Sequence, residues 1–237
     1  MSLKILPVKK IKDGRPKKQL NPLLPKPPFL WNLVAGVKSG KSVFIVNMIY
    51  NKNFYLDHFD TIYWISPSVL NDATTWAVRE DEDVVIITDL ENIDQILLSI
   101  VEDQAAEDEP PDVLIILDDA LGYLNVGGGL DKLAAKFRHY RISLFVTIQN
   151  FRKIPITARY NATHWSIWHL NSNKELTKLE EEMDSNFPAF RKYYELATRK
   201  KYAFMYISMK DMVIREEFGR ILYSKDQSEE SATELEV

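Results

Sequence analysis

The sequence contains no cysteine among its 237 residues, which excludes disulfide cross-links and thiolate metal sites. Histidine is scarce as well. His58, His139, His164 and His169 are scattered without the spacing of a metal-ligand set, so they read as structural side chains. No apolar run approaches the roughly 20 residues needed to cross a bilayer, and the basic N-terminus lacks the apolar core of a secretory signal. The expectation is a soluble intracellular protein with no membrane insertion. A net charge of −4 argues against a uniformly basic nucleic-acid-binding surface, and no internal repeat is visible.

What is present is an ordinary globular composition: 46% hydrophobic and 11% aromatic residues, enough for one sizeable core in a single domain. Charge is unevenly placed. Residues 1–28 carry Lys4, Lys9, Lys10, Lys12, Arg15, Lys17, Lys18 and Lys26 against Asp13 alone and end in the Pro-rich stretch Asn21 to Pro28, which cannot be a regular helix and should drape over the core. Residues 225–237 form an acidic tail short of apolar side chains. Both ends are expected to be poorly ordered, leaving residues 29–224 as the folded domain. The basic arm either touches DNA phosphates or is simply solvated.

Within the domain, Ala35-Gly36-Val37-Lys38-Ser39-Gly40-Lys41-Ser42 matches the phosphate-binding pattern G-x-x-x-x-G-K-[ST] at every position but the first. That pattern uses small residues so that successive backbone N–H groups wrap phosphates, a Lys for their charge and a hydroxyl for Mg²⁺. The first position mainly has to be small, so Ala35 is a mild departure. Residues 29–34 read as a buried strand before the loop and residues 42–49 as a helix after it, the order in which a helix N-terminus faces an anion.

Further strands are expected at 61–66, 84–88, 113–117, 143–148, 165–170 and 202–208, with helices at 93–101, at 130–140 and from about 175, where Ser172 and Glu175 stand at capping-box spacing. This alternation predicts an α/β fold: a RecA-like, three-layer P-loop NTPase with a mostly parallel central sheet.

The apolar strand Val113 to Leu117 runs into Asp118-Asp119, and groups at the carboxyl ends of such strands share one crevice. This is the Walker B position. Asp118 is expected to hold Mg²⁺ together with Ser42, and Asp119 to polarise an attacking water. Two adjacent carboxylates suit hydrolysis better than transfer to a small-molecule acceptor. Gln149, at the end of the 143–148 strand, is a candidate sensor of the γ-phosphate. Arg138, near a helix end where the dipole also favours a cation, is a candidate finger for a neighbouring subunit's nucleotide. Lys132 and Lys136 lie four apart after the flexible glycines 127–129 and read either as pore-facing DNA contacts or as a solvated helix face. No aromatic and basic interleaving marks a single-strand binder.

Taken in order, Ala35 to Ser42, Leu114 to Asp119, Arg138-His139-Tyr140-Arg141-Ile142-Ser143 and Thr147-Ile148-Gln149-Asn150 resemble the poxvirus-type genome-packaging ATPases of the FtsK–HerA superfamily. The resemblance spans roughly residues 29–185, and its discriminating part is the Arg-His-x-x-Ile-Ser element before a strand ending in Gln. It implies an ATP- and Mg²⁺-dependent ring of identical subunits that threads double-stranded DNA into a preformed capsid. A capsid or portal-vertex protein would be its docking partner. Its place would be the host-cell cytoplasm or viral factory, at the assembling virion. By position, Gly36 to Ser42 would bind phosphate, Ser42 and Asp118 Mg²⁺, Asp119 the lytic water, and Gln149 would sense it. Arg138 is the preferred trans-acting finger and Arg159 the reserve. Asp119 stands where many such motors carry Glu. A nucleotide-gated scaffold without turnover and a helicase-like or conjugative DNA pump are the competing readings.

Overall fold

The central strand β1, Leu30–Val34, is buried at all five positions, as a strand flanked on both sides and covered on both faces must be. The computed structural model describes residues 20–226; most of the basic arm, Lys4 to Lys18, and the acidic tail beyond Asp226 lie outside the described residues. After β1 come helix α1 (Lys41–Tyr50), strand β2 (Thr61–Ile65), two 3-10 segments (Val69–Asn71 and Ala73–Glu80) and strand β3 (Val84–Ile87). Helix α2 (Ile93–Ala106), strand β4 (Val113–Leu117), helix α3 (Gly129–Lys136) and strand β5 (Ile142–Ile148) follow. The chain continues through α4 (Ile156–Tyr160), β6 (His164–Trp168), α5 (Asn173–Met183), α6 (Phe190–Ala197), β7 (Phe204–Ser208), β8 (Val213–Glu216) and β9 (Ile221–Ser224).

The nine strands among the described residues form one sheet in the order β3-β2-β4-β5-β1-β6-β7-β8-β9. The pairs from β3 through β6 are parallel, and β7, β8 and β9 extend the sheet antiparallel. The fold is therefore the expected mixed α/β architecture with a mostly parallel sheet. Alternation along β1 divides the core in two: Leu30 and Val34 point into one cluster with the buried residues of α2 to α6, and Trp31 and Leu33 into the other with Phe44, Ile45, Met48 and Ile49 of α1. In the Pro-rich lead-in, Leu24 is buried in this second cluster and the Tyr55 hydroxyl donates to the Pro25 carbonyl at 2.7 Å.

Several boundaries differ from expectation. The helix expected over 130–140 ends at Lys136; the chain then turns, with His139 N–H donating to Lys136 O and Arg141 at φ 56°. The last expected strand starts at Phe204 rather than 202 because Tyr202 sits at φ 69°. The β8–β9 hairpin, α4, α6 and the 3-10 segments have no counterpart in the sequence reading.

His164, at the start of β6, is 8% exposed, and burial pushes its imidazole down to about 4. Asp211 opposes that shift, and Lys210 and Arg138 add to it. An unfolded chain takes up this proton near pH 6.5, whereas the folded chain resists until about pH 4. Stability from this group is thus complete above pH 6.5 and is lost as pH falls toward 4, by about 3 kcal/mol. Denaturant unfolding between pH 7.5 and 4 should show a flatter loss for His164→Gln than for the parent; parallel curves would refute the assignment.

Candidate functional site

The phosphate-binding pattern folds as its chemistry requires. β1 ends at Val34, the loop turns through residues 35–40, and α1 starts at Lys41 with Gly40 as N-cap at φ 94°. Only glycine is at ease in that left-handed backbone. Ala35 is buried, its N–H donates to Ile148 O at 2.9 Å, and its φ is not positive, so the one departure from the pattern falls where a methyl group is accommodated.

β4 and β5, adjacent to each other and with β5 adjacent to β1, deliver the remaining groups to the same crevice. Lys41 Nζ lies 3.0 Å from Asp118 Oδ1 and 2.8 Å from Asp119 Oδ1. Burial works against the ammonium charge here, but the two carboxylates outweigh it and hold Lys41 above the ordinary lysine value. Gln149 Nε2 donates to the same Asp119 oxygen at 2.9 Å, so the structure brings Lys41, Asp118, Asp119 and Gln149 together. Asp119 is held at φ 54° while Asp118 is 5% exposed, which turns one carboxylate toward the opening and leaves the other buried.

Two residues outside the sequence-based site belong to it. Thr147, 2% exposed, donates its hydroxyl to Asp118 Oδ1 at 3.0 Å and accepts the Asp119 N–H at 2.9 Å, and it thereby fixes both carboxylates. Asp72, from the turn between the 3-10 segments, lines the same cavity. Burial raises its carboxyl, but hydrogen bonds from Thr74 and from the Ser42 hydroxyl, with the Lys41 charge, bring it below the usual value. Nothing in the local sequence around Asp72 marks it; the parallel β2–β4 pairing places it there.

Thr147→Val keeps the shape and removes the hydroxyl. Turnover should fall about tenfold, with nucleotide affinity within twofold and recovery in Thr147→Ser, because an unsatisfied buried group costs about 1–3 kcal/mol. An unfolding midpoint that falls while kcat holds would instead make Thr147 a stability residue.

The other candidates lie elsewhere. Arg138 precedes β5 and sits within electrostatic reach of His164, at the end of the sheet opposite the phosphate loop. Within one chain it cannot reach the nucleotide crevice. Arg159 pairs with Glu182 at 2.8 Å and lies over the Phe151 ring. Arg152, just past Gln149, is exposed. Lys132 and Lys136 are exposed on α3, but the glycine loop before them is tethered, contrary to the flexible loop expected. Asp94 accepts from Asn125 N–H at 3.0 Å, from Asn125 Nδ2 at 2.7 Å and from Gly129 N–H. A Cβ at Gly128 or Gly129 would come within 2.3 or 2.6 Å of Asp94, so these glycines permit close approach rather than motion.

The crevice opens into a cavity of about 910 Å³ lined by the phosphate loop and by aromatic side chains. Its size suits a small-molecule ligand. The available donors, a lysine, a helix N-terminus and three carboxylates, suit a phosphate chain with a hard cation. Among the described residues no group of three or more His, Cys, Asp or Glu is arranged to hold a metal by itself, and no helix is long and apolar enough to cross a membrane.

Comparison with known proteins agrees with this geometry. The genome packaging NTPase B204 of Sulfolobus turreted icosahedral virus 2, solved with ATP-gammaS, superimposes with a TM-score of 0.60 at 15% identity, covering 80% of this chain and 96% of that one. Its sulfate complex gives 0.59 at 16% identity with the same coverage. The pCW3 conjugation coupling protein TcpA gives 0.54 at 15% identity, over 89% of this chain and 66% of that one. At such identities these likenesses establish the fold. Among curated proteins there is no match. The sequence profile of the poxvirus A32 protein matches residues 18–235, nearly the whole chain. The chain therefore belongs to the poxvirus A32 family, viral packaging ATPases.

Proposed function

We propose that this ATPase binds ATP with Mg²⁺ in the crevice, hydrolyses it, and uses the energy to thread double-stranded DNA into a preformed capsid as a ring of identical subunits. The observation that carries the reading is the convergence of Lys41 and Gln149 on Asp119, with buried Asp118 beside them. Gly36 to Ser42 cradle the phosphates, Lys41 leaves its carboxylates to meet their charge, Asp119 so released polarises the attacking water, and Gln149 links that carboxylate to β5.

The residues present fit Mg²⁺: the Ser42 hydroxyl and the Asp118 carboxylate, with Asp72 bonded to that hydroxyl, are hard oxygen donors. When bound, the ion neutralises charge developing on the β- and γ-phosphates. The trans-acting arginine is Arg138, brought to the crevice by a neighbour, with Arg159 in reserve. Lys132 and Lys136 contact DNA phosphates, a capsid or portal-vertex protein docks the ring, and the motor works in the host-cell cytoplasm or viral factory at the assembling virion.

ATP hydrolysis with and without double-stranded DNA tests this. DNA should raise the rate, Lys41→Ala should abolish it, and Lys132→Ala/Lys136→Ala should weaken the stimulation and its salt dependence while sparing the DNA-free rate. Arg138→Ala should be inactive alone and recover in mixed assemblies that supply an intact Arg138; the same pattern in Arg159→Ala instead would exchange the two roles. ATP binding without turnover, with or without DNA, would leave a nucleotide-gated scaffold.

A further inference from the structure

Helix α1 carries no charged residue after Lys41, although only one of its sides enters the core. Phe44, Ile45, Met48 and Ile49 are buried, whereas Val43 is 52% exposed and Val46 and Tyr50 are partly covered. These last three recur at i, i+3 and i+7, an apolar stripe on the face where a surface helix ordinarily presents charge. Beyond the helix the chain turns back and brings Leu56, 37% exposed, to the same face. Val46, Tyr50 and Leu56, with Asn47, Asn51 and Lys52, line a groove of about 530 Å³. Acidic residues stand beside it. Asp57 follows Leu56 in an exposed turn at φ 59°, and the Tyr50 hydroxyl donates to Asp81 Oδ2 at 2.7 Å, within the acidic run 80–83.

The amino-terminal segment of the same chain leads away from this side of the sheet. Leu24 is buried in the cluster that takes the inner face of α1, Leu20 packs against that cluster, and the Pro25 carbonyl accepts from Tyr55, the residue before Leu56. Residues 1–17 precede the region that the family profile matches, so the parts shared by the family do not account for them. Their composition complements the groove. Leu3, Ile5, Leu6 and Val8 are interspersed with Lys4, Lys9 and Lys10, apolar side chains for the floor and ammonium groups for the acidic surround. Reach is sufficient as well: the chain from Ile11 to Leu20 spans up to about 30 Å when extended, against about 15 Å for the whole of α1.

We propose that residues 3–11 seat in this groove of their own chain, with Ile5 and Val8 against Val46, Tyr50 and Leu56, and with Lys9 and Lys10 toward Asp57 and Asp81. Apolar contact supplies the affinity, while ion pairs at an exposed rim add little energy and fix the register. The seated segment covers the outward face of the helix that bears Lys41 and Ser42, and it directs the arm's lysines to the chain's own carboxylates. Neither nucleotide nor DNA is needed for this contact, so it stands or falls apart from the function proposed above.

Because the chain has no cysteine, introduced thiols have no competitors. In the full chain, Pro7→Cys paired with Lys52→Cys at the groove should be joined by a short bis-maleimide, within one chain, at least about tenfold faster than Pro7→Cys paired with Lys174→Cys on α5. Leu56→Asn and Ile5→Asn remove apolar contact without changing charge, and each should cut this advantage to less than about twofold. Trypsin gives a reading free of labels: cleavage after Lys9 and Lys10 should be about tenfold faster in either variant than in the parent. Ile5→Asn leaves the domain 29–224 untouched, so its effect cannot come from a damaged fold. Equal reaction of the two cysteine pairs, or cleavage that neither variant alters, would overturn the seat. Cross-links between chains in place of links within them would give the groove to the arm of a second copy and overturn the same-chain assignment.

Discussion

Exchanging Asp119 for Asn should lower ATP turnover by about 10²- to 10⁴-fold while leaving nucleotide affinity equal or slightly tighter. The asymmetry follows from the geometry. Asp119 is the more exposed of the two carboxylates at the end of β4, and one of its oxygens is shared by Lys41 and Gln149. In this arrangement Lys41 is neutralised by carboxylates, and an incoming phosphate chain must compete with them for it. Asp119→Asn removes one competitor, which favours binding, and the same change removes the negative oxygen that polarises water. Asp118 is different: it is buried and bonded to Thr147, so its loss should damage both binding and turnover. Single-turnover hydrolysis beside nucleotide titration separates the effects. Near-normal turnover in Asp119→Asn would move the water-activating role to Asp72, the third carboxylate at the crevice, and Asp72→Asn would then carry the large loss.

The contrast between Asp118-Asp119 and Asp72 shows what a sequence discloses about such a site. The phosphate loop is contiguous, and the strands before it and before the Asp pair are unbroken apolar runs, so residue order alone predicted that both would meet at the carboxyl edge of a parallel sheet. Asp72 reaches Ser42 only because β2 pairs beside β4, and sheet order is a long-range outcome that no local pattern records. The antiparallel edge was illegible for a related reason. β8 reads Val-Ile-Arg-Glu and β9 Ile-Leu-Tyr-Ser, four residues each, and pairing with β7 rather than intrinsic preference makes them strands. That edge carries Glu217 and Phe218, so that part of the cavity wall was hidden along with it.

Cap chemistry was half legible. Ser172 does accept from Glu175 N–H at 3.4 Å, but the Glu175 carboxylate turns to Phe151 N–H and Lys178 instead of returning to the cap. It thereby fastens α5 to the turn after Gln149. The reading of Arg138 met the opposite difficulty. Its type and spacing suggested a finger; its place before β5 already sets it at the amino end of a parallel strand, and what one sequence does not show is the neighbouring subunit through which alone it could reach a nucleotide.

Trp31→Ala should cost about 3–5 kcal/mol of stability, a large share of the roughly 5–15 kcal/mol typical of a domain. Trp31 is fully buried in β1, with ring centroids of Phe44, Phe145, Tyr206 and Phe218 within 6.0 Å. Its Nε1 donates to Ser166 Oγ at 3.1 Å, so truncation leaves a void and an unpartnered buried hydroxyl together. Trp31→Phe keeps most of the volume and should cost less than half as much. The consequence reaches the crevice because the same ring supports Phe44 on α1, three residues after Lys41, and Phe218 on the β8–β9 turn. At temperatures where Trp31→Ala remains folded, its nucleotide affinity should therefore fall. Denaturant unfolding gives the first number and a titration with ATP the second. A destabilised variant with unchanged affinity for ATP would show that the aromatic core sets stability without positioning the site.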